Sequence, residues 1–299
     1  MAKQSQRTQP EPLAFLHTTL RPSIAQLTAN CEDNIPVDLL RICAERNIKR
    51  IRFRRMLDEG MIAIYQQGFD IYLKSERKQQ FSIDDLGNFP KLIARQRFTI
   101  AHELVHTFFF QTNSAGVPFV KKDVQDGEVF ITGKFGDREI AFNLDEIEYL
   151  CQEGARFILM PDRMMKEEIR SFNQDWWETI QGGLARFGIS PDVYIRQIDT
   201  HYNEAVEKGK DLVVVRHGRH LQQHTAVGKL FRSSFLPGIE LFSGIDEWWS
   251  HLFGCKYTPN EYPGMVVLGN RYSMFVERKD LTDECYILSI TPKGEVLEG

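Results

Sequence analysis

The apolar positions of the chain change period three times. Residues 1–35 form a mostly polar arm with at most one short helix. Pro36 opens a run, Val37 to Ala44, whose apolar residues recur at helical spacing. Three strand-like pieces follow: Ile48–Leu57, Met61–Gln66 and Phe69–Leu73. In the first, Ile51, Phe53 and Leu57 alternate mostly with Arg and Lys, which predicts a half-buried strand with a basic outer face. Glu59-Gly60 and Gln67-Gly68 supply turns, and residues 75–90 read as a polar connector. Two long helical patterns span Lys91–Gln111 and Asn143–Met160, the second ended by Pro161. Between them, Thr112 to Arg138 is rich in Gly and Asp and has room for a short hairpin. It exceeds the ~12–15 residues beyond which a structureless loop usually carries function. From Asp175 to Lys208 the period is helical again, broken at 187–191, where Gly188 suits a helix end and Ser190-Pro191 a new start. Past residue 210 the pattern turns to short β-prone runs: Leu212–Val215, Gly238–Phe242, Gly264–Leu268, Tyr272–Glu277 and Cys285–Ile290, with one helix expected over Asp246–Phe253.

Composition adds boundaries. The 299 residues have room for two domains at roughly 100–200 residues each. Hydrophobic content of 42% and charged content of 26% are ordinary for a globular protein, so no disulfide or metal is needed merely to hold the fold. A net charge of −4 gives no whole-chain attraction for nucleic acid or anionic membranes. The five cysteines are scattered without a C-x-x-C pair, which excludes a zinc ribbon and a disulfide framework as readings. Residues 1–12 lack the apolar run of a signal peptide, and no stretch approaches the ~20 apolar residues of a membrane span, so a cytoplasmic location is expected.

The chemistry centres on His102-Glu103-Leu104-Val105-His106. Residues four apart share a helix face, so His102 and His106 can hold one metal ion, while Glu103 can take a proton from water at the same site. The surrounding Phe98, Ile100, Ala101, Leu104, Val105 and Phe108–Phe110 are apolar, a setting costly for two imidazoles and a carboxylate without partners. The bland alternative is a chance match whose histidines make ordinary hydrogen bonds. Phe109 and Thr112 stand where a third-histidine pattern would need Gly and His, so the third ligand must be sought on another helix. Asn143–Pro161 offers Asp145, Glu146, Glu148 and Glu153. Glu148 is the lone charge on the stripe Leu144, Cys151, Ala155, Ile158, whereas Asp145 shares a solvated face with Tyr149, Gln152 and Arg156. Glu148 is the expected ligand, ahead of Glu153; its bland alternative is a buried ion pair with an arginine.

Arg97-Phe98-Thr99-Ile100-Ala101-His102-Glu103-Leu104-Val105-His106 closely resembles the RFTxAHELGH signature of the ImmA/IrrE metallopeptidases. Glu148-Tyr149-Leu150-Cys151 and Phe157-Ile158-Leu159-Met160-Pro161 look like that family's glutamate helix. The resemblance is specific over 36–161, moderate over 162–208 and architectural beyond, where it is nearest the three-domain IrrE (PprI) branch. Two departures stand out: Val105 replaces the common glycine, and the interval from His106 to Glu148 is long. The resemblance implies an α+β protein: an arm over 1–35, a zincin-like metallopeptidase domain over 36–170 with a small sheet and the HExxH helix, a helix-turn-helix-like segment over 171–210, and a β-rich, GAF-like domain over 211–299. It implies one Zn2+ per chain, with Mn2+ as a substitute, and a protein substrate of the helix-turn-helix (XRE-type) repressor class cleaved in a stress or DNA-damage response.

In that reading zinc is held by His102, His106 and Glu148, and Glu103 is the general base. An oxyanion donor is also needed, with Tyr149, Tyr202 and His201 as candidates. Substrate would bind as an added strand, with Ile48–Leu57 as the candidate edge. The competing class is a non-catalytic regulator with structural zinc that binds DNA or a repressor. Leu184–Ile198 reads as a helix–turn–helix, but Asp192, Asp199, Glu204 and Glu207 oppose phosphate contact, so direct DNA binding is disfavoured. His217, His220 and His224 are a weak second metal candidate, and Trp176-Trp177 and Trp248-Trp249 read as core or interface anchors.

Overall fold

The computed structural model describes residues 11–31, 35–83, 89–125, 127–135, 138–172, 176–201, 211–217, 224–225, 264–268, 272–282 and 285–295. The chain divides into two compact units, 1–164 with 185–189 and 165–184 with 190–299. Helices and sheets occur in both, compatible with the α+β class.

The first unit begins with α1 (Pro12–Phe15), a π-type turn Leu16–Leu20, and α2 (Arg21–Thr28). This is the largest departure from the expected arm. Phe15, Leu16, Leu20 and Ile24 are each at most 1% exposed. Burying side chains of this size contributes about 1.5–3 kcal/mol apiece, which outweighs a weak local helical signal. Asp38 then caps α3 (Leu39–Glu45) by accepting from the backbone N–H groups of Leu40 and Arg41.

A four-stranded sheet follows, built from β1 (Ile48–Arg54), β2 (Gly60–Tyr65), β3 (Gly68–Lys74) and β4 (Gln79–Ser82), in the order β2-β3-β1-β4. β1 runs parallel to β3 and antiparallel to β4, and β2 is antiparallel to β3. Ile51, Phe53, Ile71 and Leu73 are buried, while Arg50, Arg52, Tyr72, Arg54 and Lys74 alternate with them on the opposite face. The basic outer face is as expected, but β1 is interior, so it is not the free edge proposed for Ile48–Leu57. Strand β4 lies in the stretch read as a connector. Its polar sequence carries no alternation, and pairing with β1 is what makes it a strand.

The metal-motif helix α4 (Ala94–His106) and α5 (Leu144–Leu159) pack side by side. Asn143 and Glu146 form a reciprocal capping box at the start of α5. The glycine-rich segment between the helices is mostly strand. A two-stranded hairpin, β5 (Gln111–Thr112) and β6 (Pro118–Phe119), precedes an antiparallel sheet of β7 (Lys121–Gln125), β8 (Glu128–Phe135) and β9 (Arg138–Asn143). This sheet lays Phe135 and Phe142 against Phe15 and Phe109, with ring centroids 4.7 to 6.2 Å apart. The long interval between the two halves of the site is therefore a folded lobe.

The bulk of Val105 on α4 is matched by Gly154 on α5. An added Cβ at Gly154 would stand 2.9 Å from both Val105 methyl groups and 3.1 Å from Ile24 Cδ1. On an open helix face Gly→Ala would stabilise by about 1 kcal/mol. Here we expect Gly154→Ala to destabilise by about 1–3 kcal/mol through overpacking. Val105→Ala in the same chain should recover most of that loss, a coupling measurable as a double-mutant cycle in denaturant melts. A stabilised single variant would contradict the packing.

The second unit contains most of α6 (Asp162–Phe172) and α7 (Trp176–Phe187), all of α8 (Pro191–His201), and a five-stranded antiparallel sheet. The order is β11-β10-β14-β13-β12, from β10 (Asp211–His217), β11 (His224–Thr225), β12 (Gly264–Leu268), β13 (Tyr272–Thr282) and β14 (Cys285–Glu295). Tyr194 on α8 is fully buried, lies over Gly183, and donates its hydroxyl to Glu168 Oε1 at 2.5 Å. The expected strand Gly238–Phe242, the helix Asp246–Phe253 and Trp248-Trp249 lie outside the described residues.

Candidate metal centre

Helical periodicity puts His102 and His106 one turn apart on α4, with their ring centroids 4.8 Å apart. Their Nε2 atoms stand 3.1 Å from each other. From α5, Glu148 brings Oε2 to 3.2 Å from His102 Nε2 and Oε1 to 3.4 Å from His106 Nε2. Donors about 2.0–2.1 Å from a tetrahedral zinc ion lie roughly 3.3–3.4 Å from one another. The histidine nitrogens and the nearer Glu148 oxygen on each side approach that spacing, and with one donor atom from each residue the cluster lies within 4.8 Å and can hold a metal ion. Hydrogen bonding from His102, then His106, holds the Glu148 carboxyl far below the usual carboxylate range, in the ionised form a metal needs. The two imidazoles are 15% and 18% exposed and the Glu148 side chain 55%, so the centre opens to solvent on the α5 side.

The other three carboxylates of α5 have different occupations. Glu146 caps the helix, and Asp145 is exposed in its first turn. Glu153 is held by Arg156, at 2.8 Å to NH1 and 2.5 Å to NH2. The buried arginine pair weighed as the bland alternative for Glu148 is thus found at Glu153. Arg156 itself is buried rather than solvated, and α5 packs against the N-terminal helices and the inserted sheet. Glu148 and Leu144 mark where that cover ends, for both are exposed while Cys151, Ala155 and Ile158 are not.

Glu103 is 5% exposed. Burial pushes its carboxyl up, an effect opposed by His106 and His102, increased by Glu148, and opposed again by the backbone of Ile62. Ile62 belongs to β2, which ends the sheet. Glu59 O accepts from Lys74 N–H, so the pairs bonded across β2 and β3 continue at Met61, Ala63 and Tyr65. By alternation, Gly60, Ile62 and Ile64 turn their N–H and C=O groups away from β3. Glu103 therefore meets the outward side of an edge strand. Gly60 allows this approach: a Cβ there would stand 2.7 Å from Glu103 Oε1 and would collide with Thr99. The sequence offered Gly60 as a turn residue; its closeness to Glu103 has no local signal.

Among the remaining candidates, Tyr149 follows Glu148 on α5 and is 39% exposed. Tyr202 and the side chain of His201 lie outside the described residues. His217 and His224 are cross-strand partners in β10 and β11, and His220 lies outside the described residues. No helix among the described residues is long and apolar enough to cross a membrane.

Fold and site together define a mixed helix-and-sheet protein with a two-histidine, one-glutamate cluster able to hold a metal. No protein-family model matches the chain, and no curated protein matches it. Among solved structures, a Mycobacterium tuberculosis transcriptional regulator is similar, with a TM-score of 0.43 and 10% identity, over 92% of this chain and 88% of that one.

Proposed function

We propose that the protein is a zinc-dependent endopeptidase of the ImmA/IrrE type, with a zincin-like catalytic unit. Its substrate is a protein, most specifically a helix-turn-helix (XRE-type) repressor whose cleavage switches on a stress response. The observation that carries the peptidase reading is the pairing of functions on α4: two histidines converge on Glu148 while Glu103, between them, is buried at the outward side of β2. A purely structural metal site gives a buried carboxylate at that position no task, which weighs against the non-catalytic regulator.

The resemblance in Arg97–His106 supplies the family, and the geometry supports the roles. His102, His106 and Glu148 would hold zinc, which when bound polarises a carbonyl and renders water nucleophilic near neutral pH. Strand β2 would align an extended substrate segment by adding it to the sheet beside Glu103. Glu103 then accepts the proton of the attacking water and returns it to the leaving amine, a role suited to a carboxyl whose proton affinity burial has raised. Tyr149 is the candidate oxyanion donor on the described helices.

The test is incubation of the zinc-loaded protein with XRE-type regulators from its own source organism. One discrete cut is expected, abolished by a chelator and restored by zinc; an intact regulator under all conditions would remove the repressor as substrate. Gly60→Ala gives a second check on the active-site assignment. The added methyl group should displace Glu103, leave zinc content unchanged and lower kcat at least ~10-fold, since a misplacement near 1 Å can cost about 100-fold. Full activity in this variant would separate Glu103 from the edge strand.

A further inference from the structure

On the sheet face opposite the buried side of β1 and β3, cationic and aromatic side chains interleave. Arg50 lies over the ring of Tyr65 at 3.4 Å, and Arg54 and Arg52 lie over Tyr72 at 4.1 and 5.7 Å. Asp70, with a side chain only 2% exposed, anchors the row by pairing with both Arg50 and Arg52. Beside the anchored pair, Arg52, Arg54, Tyr72, Lys78 and Gln80 line a cleft of about 470 Å³. Ligand sites commonly fall between about 300 and 1,000 Å³. Among the described residues, Arg54 and Lys78 have no carboxylate partner. Arg50, Arg52, Arg54, Lys74 and Lys78 thus outnumber their carboxylate partners Asp70 and Glu59 among the described residues, in a chain whose total charge is −4. That local excess is open to solvent among the described residues.

We propose that this cleft binds a nucleotide, independently of the metal centre. Arg54 and Lys78, free of carboxylates among the described residues, receive the phosphate, and Arg52, paired with Asp70, completes a charged rim. The planar ring of the ligand stacks on the guanidinium and tyrosine ladder, for which both arginine planes and aromatic faces are suitable. Gln80 supplies an amide for a base edge or ribose hydroxyl. The cleft's volume suits one nucleotide. Stacking and phosphate contact together distinguish this from simple attraction of any anion, and a volume of one-nucleotide size favours a free nucleotide over a strand.

The test is titration calorimetry of the full-length protein at low salt with four probes: AMP, adenosine, inorganic pyrophosphate and oligothymidylate. AMP is expected to bind at least 10-fold more tightly than adenosine or pyrophosphate, and to weaken as salt is raised. Arg54→Ala with Lys78→Ala should reduce AMP affinity at least 10-fold. Both side chains are exposed, so the fold is not at stake. Tyr72→Leu should weaken AMP and leave pyrophosphate unchanged, a split that loss of charge alone does not produce. Glu103→Gln should bind AMP as the parent does. Absence of AMP binding, equal binding of AMP and pyrophosphate, AMP affinity unaltered by the double substitution, or binding of oligothymidylate without AMP would each overturn the proposal.

Discussion

Glu103→Gln is expected to retain zinc and fold while losing about 100- to 10,000-fold in kcat, the range supplied by a positioned general acid–base. The substitution keeps the shape of the side chain, which sits against Gly60 of β2. What disappears is the ability to hold and return a proton. His102, His106 and Glu148 are untouched, so zinc content by elemental analysis should equal that of the parent. The proton role also predicts the pattern of loss: kcat and kcat/KM should fall together, because the missing interaction belongs to the transition state. A variant that cleaves at the parental rate would reject Glu103 as the base and return the regulator reading to the front.

Glu148 and Glu153 of α5 should give opposite phenotypes. Glu148→Ala removes one of three converging donors and should empty the site at zinc concentrations that fill the parent. Its stability should change little, since the side chain is 55% exposed and leaves no buried charge behind. Glu153→Ala should keep zinc and lose stability. It strands Arg156, whose side chain is 7% exposed, and breaking a buried pair by removing one partner costs about 3–5 kcal/mol. Further contacts of Arg156 place the expected loss near the lower end, about 3 kcal/mol. Zinc titration and denaturant melts on the same two proteins separate the outcomes. Full zinc content in Glu148→Ala with an empty Glu153→Ala would reverse the ligand assignment.

What was legible in the sequence was local. The i, i+4 spacing of His102 and His106, the apolar surroundings of α4, and the period that set Glu148 apart from Asp145 and Glu146 all depend on neighbours within two helical turns. The alternation of arginine with Ile51 and Phe53 likewise named a half-buried strand and its basic face. The assignments that failed were those that depend on what covers a surface. Phe15, Leu16, Leu20 and Ile24 gave a weak helical pattern because their order comes from α5 and the inserted sheet. Arg156 read as solvated because a helical wheel cannot show how wide the covered face will be.

The edge strand makes the same point at the site. Strand β1 displays a polar face and so reads as exposed, yet its two edges are filled by β3 and β4. Which strand is left unpaired is decided by the order β2-β3-β1-β4, a long-range pairing with no signature in any one segment. By itself, then, the sequence determined the two histidines, the glutamate between them, a short list of α5 carboxylates headed by Glu148, and the helices that carry them, because helical geometry turns spacing directly into direction. Only the tertiary structure decided that Glu148 rather than Glu153 faces the histidines, that Gly60 and Ile62 of β2 meet Glu103, and that Gly154 makes room for Val105. Each of those is a distance between elements far apart in the chain, and packing sets such distances where periodicity cannot.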